Sequence, residues 1–123
     1  RGLGMTQLNQ EKCVACRRDS PPVEREEVAE LHAQVSDWDL ISEDGISKLD
    51  RVFKFDNFQH ALDFTNEVGS LAESEGHHPR LTTEWGRVAV TWWTHKIRNL
   101  HRNDFVMAAK SDQIYRDLVA DDT

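Results

Sequence analysis

The chain has 123 residues, 38% hydrophobic and 30% charged, with a formal net charge of −7. That composition suits one soluble domain with a modest core, and the acidic balance argues against the basic face that a nucleic-acid binder needs. Mean hydropathy is −0.66, no apolar run approaches the ~20 residues of a membrane span, and the amino end lacks the apolar stretch of a secretory signal, so a cytoplasmic protein is expected.

Residues 1–19 carry no periodicity and are expected to form a flexible amino-terminal segment ahead of a single domain over 20–123. Cys13 and Cys16 have the spacing of half a zinc site or of a redox pair. No second pair completes a zinc site and no strand precedes them, so reduced thiols are the expectation. Ser20, Pro21 and Pro22 then punctuate the chain and suit a helix start. Glu24, Glu26 and Glu27 fall in its first turns, where the helix dipole favours anions. Val28, Leu31 and Val35 form one stripe, with His32 on the flank. Trp38 to Ser42 reads as a first strand. Asp44 and Gly45 are a strong hairpin signal, and Ile46 to Phe55 is the second strand. Leu49, Phe53 and Phe55 share one of its faces, Lys48, Asp50 and Lys54 the other, and Arg51 interrupts the apolar side.

A helix over 58–72, running on towards Ser74, follows from Phe58, Ala61, Leu62, Thr65, Val68 and Ala72 at three- and four-residue spacing. Asp56 is the expected cap, with Gln59 three residues on as in a capping box, and Gly76 is the expected stop. Leu81 to Trp85 makes a third strand and Gly86 a tight connection; Trp85 is expected to pack. Arg87 to His95 alternates as a fourth strand, with Val88, Val90 and Trp92 on one face and Ala89, Trp93 and His95 on the other. Lys96 to His101 is a loop, and Asn103 to Val119 a last helix that buries Met107, Ile114 and Leu118. The order α-β-β-α-β-β-α predicts an α+β domain in two layers: a four-stranded antiparallel sheet with three helices on one face. An edge strand would be open to pairing.

The chemistry concentrates between Glu73 and Asp104, which hold four of the six histidines. A histidine can give or take a proton near neutral pH, so such a cluster points to proton transfer or metal binding. Taken singly, each residue has a plainer explanation: His77 and His78 as turn residues, His95 as a strand end, Asp104 as a helix-start charge, Glu73 as a solvated helix residue. Adjacent histidines seldom chelate one metal, which disfavours zinc. The joint spacing outweighs these explanations. Glu73, His77, His78, Pro79, Trp85, His95 and Asp104 stand at the intervals of the pterin-4a-carbinolamine dehydratase family, which the chain resembles over roughly residues 20–119. Leu81 and His101 depart from that pattern, where many members carry an aromatic residue and a Ser or Thr.

The resemblance implies dehydration of 4a-hydroxytetrahydropterin to quinonoid dihydropterin, in support of pterin recycling for aromatic amino-acid hydroxylases. It implies His77, His78 and His95 as the acid–base cluster, and Asp104 as the group that orients one of them. Glu73 would support a histidine, and Pro79, Thr94 and Lys96 would border the pterin. No cofactor and no metal are implied, since the reaction moves no electrons overall. The family's assemblies imply a homodimer or homotetramer. The alternative is a non-enzymatic dimerisation cofactor or regulatory partner, which would have no need of an intact histidine set. A zinc protein using Cys13, Cys16 and histidines would contain stoichiometric metal.

Overall fold

The computed structural model describes residues 7–13 and 21–121. Expectations that fall at 1–6, 14–20 and 122–123, including the role of Cys16, lie outside the described residues. Helix α1 spans Arg25–Gln34, β1 Asp39–Glu43 and β2 Ile46–Lys54. Helix α2 spans Phe58–Glu75, β3 Arg80–Glu84, β4 Arg87–Trp92 and α3 Arg102–Asp121. The expected element order is therefore the observed one. The fold is α+β: one antiparallel sheet in the order β1-β2-β4-β3 with three helices. Within the sheet the β1–β2 turn is sharp. Asp44 and Gly45 have φ of 54° and 77°, a pair of left-handed residues that matches the twist of a two-residue hairpin.

Helix α2 starts at Phe58, as expected, but its cap lies one residue later than Asp56. Asn57 is the cap, extended at φ −162° and ψ 179°, and its side chain accepts from the His60 N–H. Gln59 instead donates to Asp63 one turn on. At the other end Gly76 takes φ 65° and ψ 30°, a left-handed conformation that glycine adopts without strain. The N–H of Gly76 then bonds the Glu73 carbonyl, and that of His77 the Ala72 carbonyl. This pair of bonds turns the chain out of the helix and fixes the backbone of His77.

Alternation sorts the strands as expected. Leu49 and Phe53 of β2 and Val88, Val90 and Trp92 of β4 are buried beneath the helices. Phe53 is the hub of the core, with ring centroids 5.7 Å from Trp38, 4.6 Å from Phe64 and 5.0 Å from Tyr115. Arg51 interrupts this face because α3 answers it: its Nη1 donates to Asp112 at 2.7 Å, and Trp38 Nε1 donates to the same carboxylate oxygen. The guanidinium also lies 4.3 Å from the Phe53 ring centroid. A charge inside an apolar face is tolerated when it is paired and stacked in this way.

One packing expectation fails. Trp85 does not pack; it is 70% exposed at the tip of the two-residue β3–β4 hairpin. Before α1, residues 8–10 form a short 3-10 helix whose Leu8 is 2% exposed within the core. Glu11 is tied to Arg102 of α3 at 2.7 Å, and the Cys13 N–H to Glu75 of α2 at 2.9 Å. A single leucine in a three-residue helix has no periodicity to betray it.

Candidate active site

β3 and β4 pair with Arg80 opposite Thr91. Just before that strand start, His77 and His78 lie at the end of the sheet where β4 finishes. The fourth strand stops at Trp92, short of the His95 expected from alternation. Thr94 and Asn99 pair across a turn instead, and Arg98, at its far side, has φ 51°. His95 thus begins a turn at the end of the sheet where His77 and His78 enter. The start of α3 closes the same end.

Asp104 joins these segments. It is 0% exposed. Its Oδ1 is 2.6 Å from His77 Nε2, and its Oδ2 accepts from Thr94 Oγ1 at 2.7 Å and from the His101 N–H at 2.9 Å. A buried carboxylate needs such donors to offset its lost hydration. Because a carboxylate accepts, His77 presents Nε2–H to it, and this fixes the imidazole tautomer and orientation. His77 is itself buried and stacks on Trp92, the rings 5.8 Å apart and 16° from parallel.

The other two histidines sit in contrasting surroundings. His78 is exposed, with Nε2 2.9 Å from Glu73 Oε1; its side chain is 60% exposed and that of Glu73 83%, so water screens the pair. His95 is exposed and stacks on Trp93, with centroids 4.4 Å apart and 23° between planes. Pro79 is half-buried and Lys96 exposed. Thr94 is 2% exposed, and its hydroxyl is committed to Asp104.

His101, where the resemblance leads one to expect Ser or Thr, caps α3 with its ring. Its Nδ1 accepts from the Asn103 N–H at 3.0 Å, while Asp104 accepts from the His101 N–H. This is a reciprocal capping box at the start of α3 with histidine as the cap. The motif was hidden in the sequence because His is a rare cap residue, although Asp three positions later was a visible clue. The cap works only with a lone pair on Nδ1, that is, with neutral imidazole. Burial pushes the His101 pKa below its ordinary 6.5, and His77 pushes the same way against the pull of Asp104 and Glu27. A folded-state pKa below the unfolded one means that the unfolded chain binds more protons between the two values, so stability falls as pH drops from about 6.5 through the lowered value. A His101→Ser variant caps without titrating. The Tm advantage of wild type over His101→Ser is therefore expected to shrink between pH 7 and pH 5 in paired thermal melts.

Among the described residues, no group of three His, Cys, Asp or Glu side chains could hold a metal ion, and no helix is long and apolar enough to cross a membrane.

This arrangement can be set beside known proteins. The sequence model of the family described as pterin 4 alpha carbinolamine dehydratase matches residues 21–114. A protein of Nitrosococcus oceani, named provisionally as a pterin-4-alpha-carbinolamine dehydratase, is 56% identical over 112 residues, which cover 91% of this chain and 99% of that protein. The crystal structure of a transcriptional coactivator/pterin dehydratase from Brucella melitensis superposes with a TM-score of 0.69 at 30% identity, over 76% of this chain and 98% of that one. A pterin dehydratase-like protein identified as a RuBisCO assembly factor in the alpha-carboxysome shares the fold, with a TM-score of 0.55 at 19% identity over 63% of this chain and 88% of the other. By sequence and fold alike, the chain belongs to the pterin 4 alpha carbinolamine dehydratase family, a family of hydro-lyases.

Proposed function

We propose that the protein removes water from 4a-hydroxytetrahydropterin, giving quinonoid dihydropterin, by histidine acid–base catalysis. The observation that carries this is the buried His77–Asp104 hydrogen bond at 2.6 Å, with His78 and His95 exposed at the same end of the sheet. Departure of the hydroxyl calls for an acid, and loss of the ring N–H proton for a base. Histidines can serve as either, each positioned group contributing roughly 10²–10⁴-fold. In this reading His78 and His95 meet the substrate, and His77 is the histidine that Asp104 holds in one tautomer. Thr94 acts through Asp104, Glu73 supports His78, and Pro79 and Lys96 border the pterin. Once a separate reductase had supplied two electrons and two protons, the product would return as tetrahydropterin to aromatic amino-acid hydroxylases. A homodimer or homotetramer suits a sheet whose outer strands, β1 and β3, have no further strand beside them among the described residues.

The test follows absorbance as enzymatically generated 4a-hydroxytetrahydropterin dehydrates, with wild type, His78→Ala and His95→Ala. Wild type is expected to accelerate the reaction, and each folded variant to lose on the order of 10²–10⁴-fold in kcat. A wild-type rate equal to the uncatalysed background would overturn the enzyme reading in favour of a partner role, such as the coactivator function named for the Brucella melitensis protein.

A further inference from the structure

The three histidines are held in three ways, and the third identifies a residue that the family spacing does not single out. His77 is held by Asp104 and His78 by Glu73. Among the described residues, no hydrogen bond or ion pair engages the His95 ring; what it touches is the indole of Trp93. An exposed imidazole with two free torsions has to be ordered before it can transfer a proton productively.

Trp93 is well placed to impose that order, because it is itself fixed on the sheet face that the helices leave uncovered. Continuing the β2–β4 register, with Asp50 opposite Thr91, puts Lys48 beside Trp93. Lys48 Nζ lies 3.9 Å from the indole centroid and the Arg80 guanidinium carbon 5.7 Å away, both within reach of the negative face of an indole. Lys48 and Arg80 also contact Glu43, at 2.9 Å and 3.0 Å. Hydrogen bonds from Arg80 and then Lys48 hold the Glu43 carboxyl down at about 2. Arg80 additionally reaches Thr91, which donates to Asp50. Lys48 is only 6% exposed on this face. Side chains from β2 and β3, both tied to Glu43 of β1, thus converge on one indole, and His95 lies on that indole.

We propose that Trp93 is a positioning residue for the dehydration: clamped by Lys48 and Arg80, its indole holds the His95 imidazole by stacking, so that both ring nitrogens stay free at the ring edge for substrate and solvent. His77 differs, since it spends Nε2 on Asp104. The inference rests on the dehydratase reading and extends it to a residue that touches no reacting atom.

Turnover and histidine NMR of Trp93→Leu, Trp93→Phe and Lys48→Met test it. In wild type the indole ring current is expected to place the His95 ring protons upfield. In Trp93→Leu these protons are expected to move downfield while kcat falls roughly ten- to a hundred-fold and KM stays within about two-fold, as for a misplaced catalytic group. Trp93→Phe, which keeps a ring, should recover most of the loss. Lys48→Met leaves the indole but removes one clamp; it should act in the same direction more weakly, and it keeps the test open if Trp93→Leu fails to fold. An unchanged kcat in Trp93→Leu, or His95 protons at random-coil positions in wild type, would overturn the proposal. Absence of turnover in wild type would overturn the dehydratase reading instead, and the ring-current shift would still decide whether the indole holds the imidazole.

Discussion

Replacing Asp104 by alanine is expected to cost about 3–5 kcal/mol of folding stability and to abolish accelerated dehydration. The carboxylate is fully buried and accepts from His77, Thr94 and the His101 N–H. Truncation leaves all three donors without their partner in a site that water does not reach readily, and it removes half of the cap of α3. Asp104→Asn separates the two effects. Its oxygen would stay with Thr94 and the His101 N–H, the two donors on the Oδ2 side, and its NH₂ would face His77. The imidazole must then accept at Nε2 and carry its proton on Nδ1, the reverse of the wild-type tautomer. Asp104→Asn is therefore expected to remain folded, losing only about 1–2 kcal/mol, yet to lose on the order of 10²-fold or more in kcat. Urea denaturation measures the first quantity and turnover the second. Nitrogen-15 NMR of the imidazole reports which ring nitrogen carries the proton. Full activity in a folded Asp104→Asn would rule out tautomer control by Asp104.

Phe53→Ala is the largest purely structural loss expected, about 3–5 kcal/mol. The ring is 1% exposed and meets Trp38, Phe64 and Tyr115, with the Arg51 guanidinium also against it. Removing it opens a cavity and also loosens Arg51, which bonds to Asp112 together with the Trp38 indole. For a domain of ordinary stability, about 5–15 kcal/mol, this is a large fraction of the whole. The check is a urea midpoint that falls with an unchanged m-value. Phe58→Ala is the control: Phe58 is 43% exposed, and its truncation is expected to stay within about 0.5 kcal/mol.

Much of this architecture could be read from residue patterns, and the exceptions share a cause. Alternation in Leu49, Phe53, Val88, Val90 and Trp92 gave the buried sheet face because one side of an antiparallel sheet must be apolar. The Asp44–Gly45 turn and the Gly76 stop were legible because few residues tolerate positive φ. Side-chain pairing over long sequence separations was not legible. Nothing local to Arg51 tells that Asp112 awaits it, and nothing near His77 tells which acid it will meet, although Asp104 was singled out. The true end of β4 was also hidden, because the Thr94–Asn99 turn depends on Asn99 and a left-handed Arg98 that carries no turn signature. His101 shows a subtler limit: a residue type seldom used as a cap fills that role here through its Nδ1.

The bond between His77 and Asp104 has a mechanical meaning beyond the chemistry proposed for it. His77 hangs from the last turn of α2 through its N–H, and Asp104 sits in the first turn of α3 as part of its cap. The bond therefore rivets the end of one helix to the beginning of another. Fraying at either terminus would separate the two residues before the rest of the domain opened. Conversely, any ligand that binds only when the two are joined draws the helix ends together by mass action and raises the stability of the whole domain. Occupancy of the site and integrity of the helix junction are in this sense one equilibrium seen from two sides.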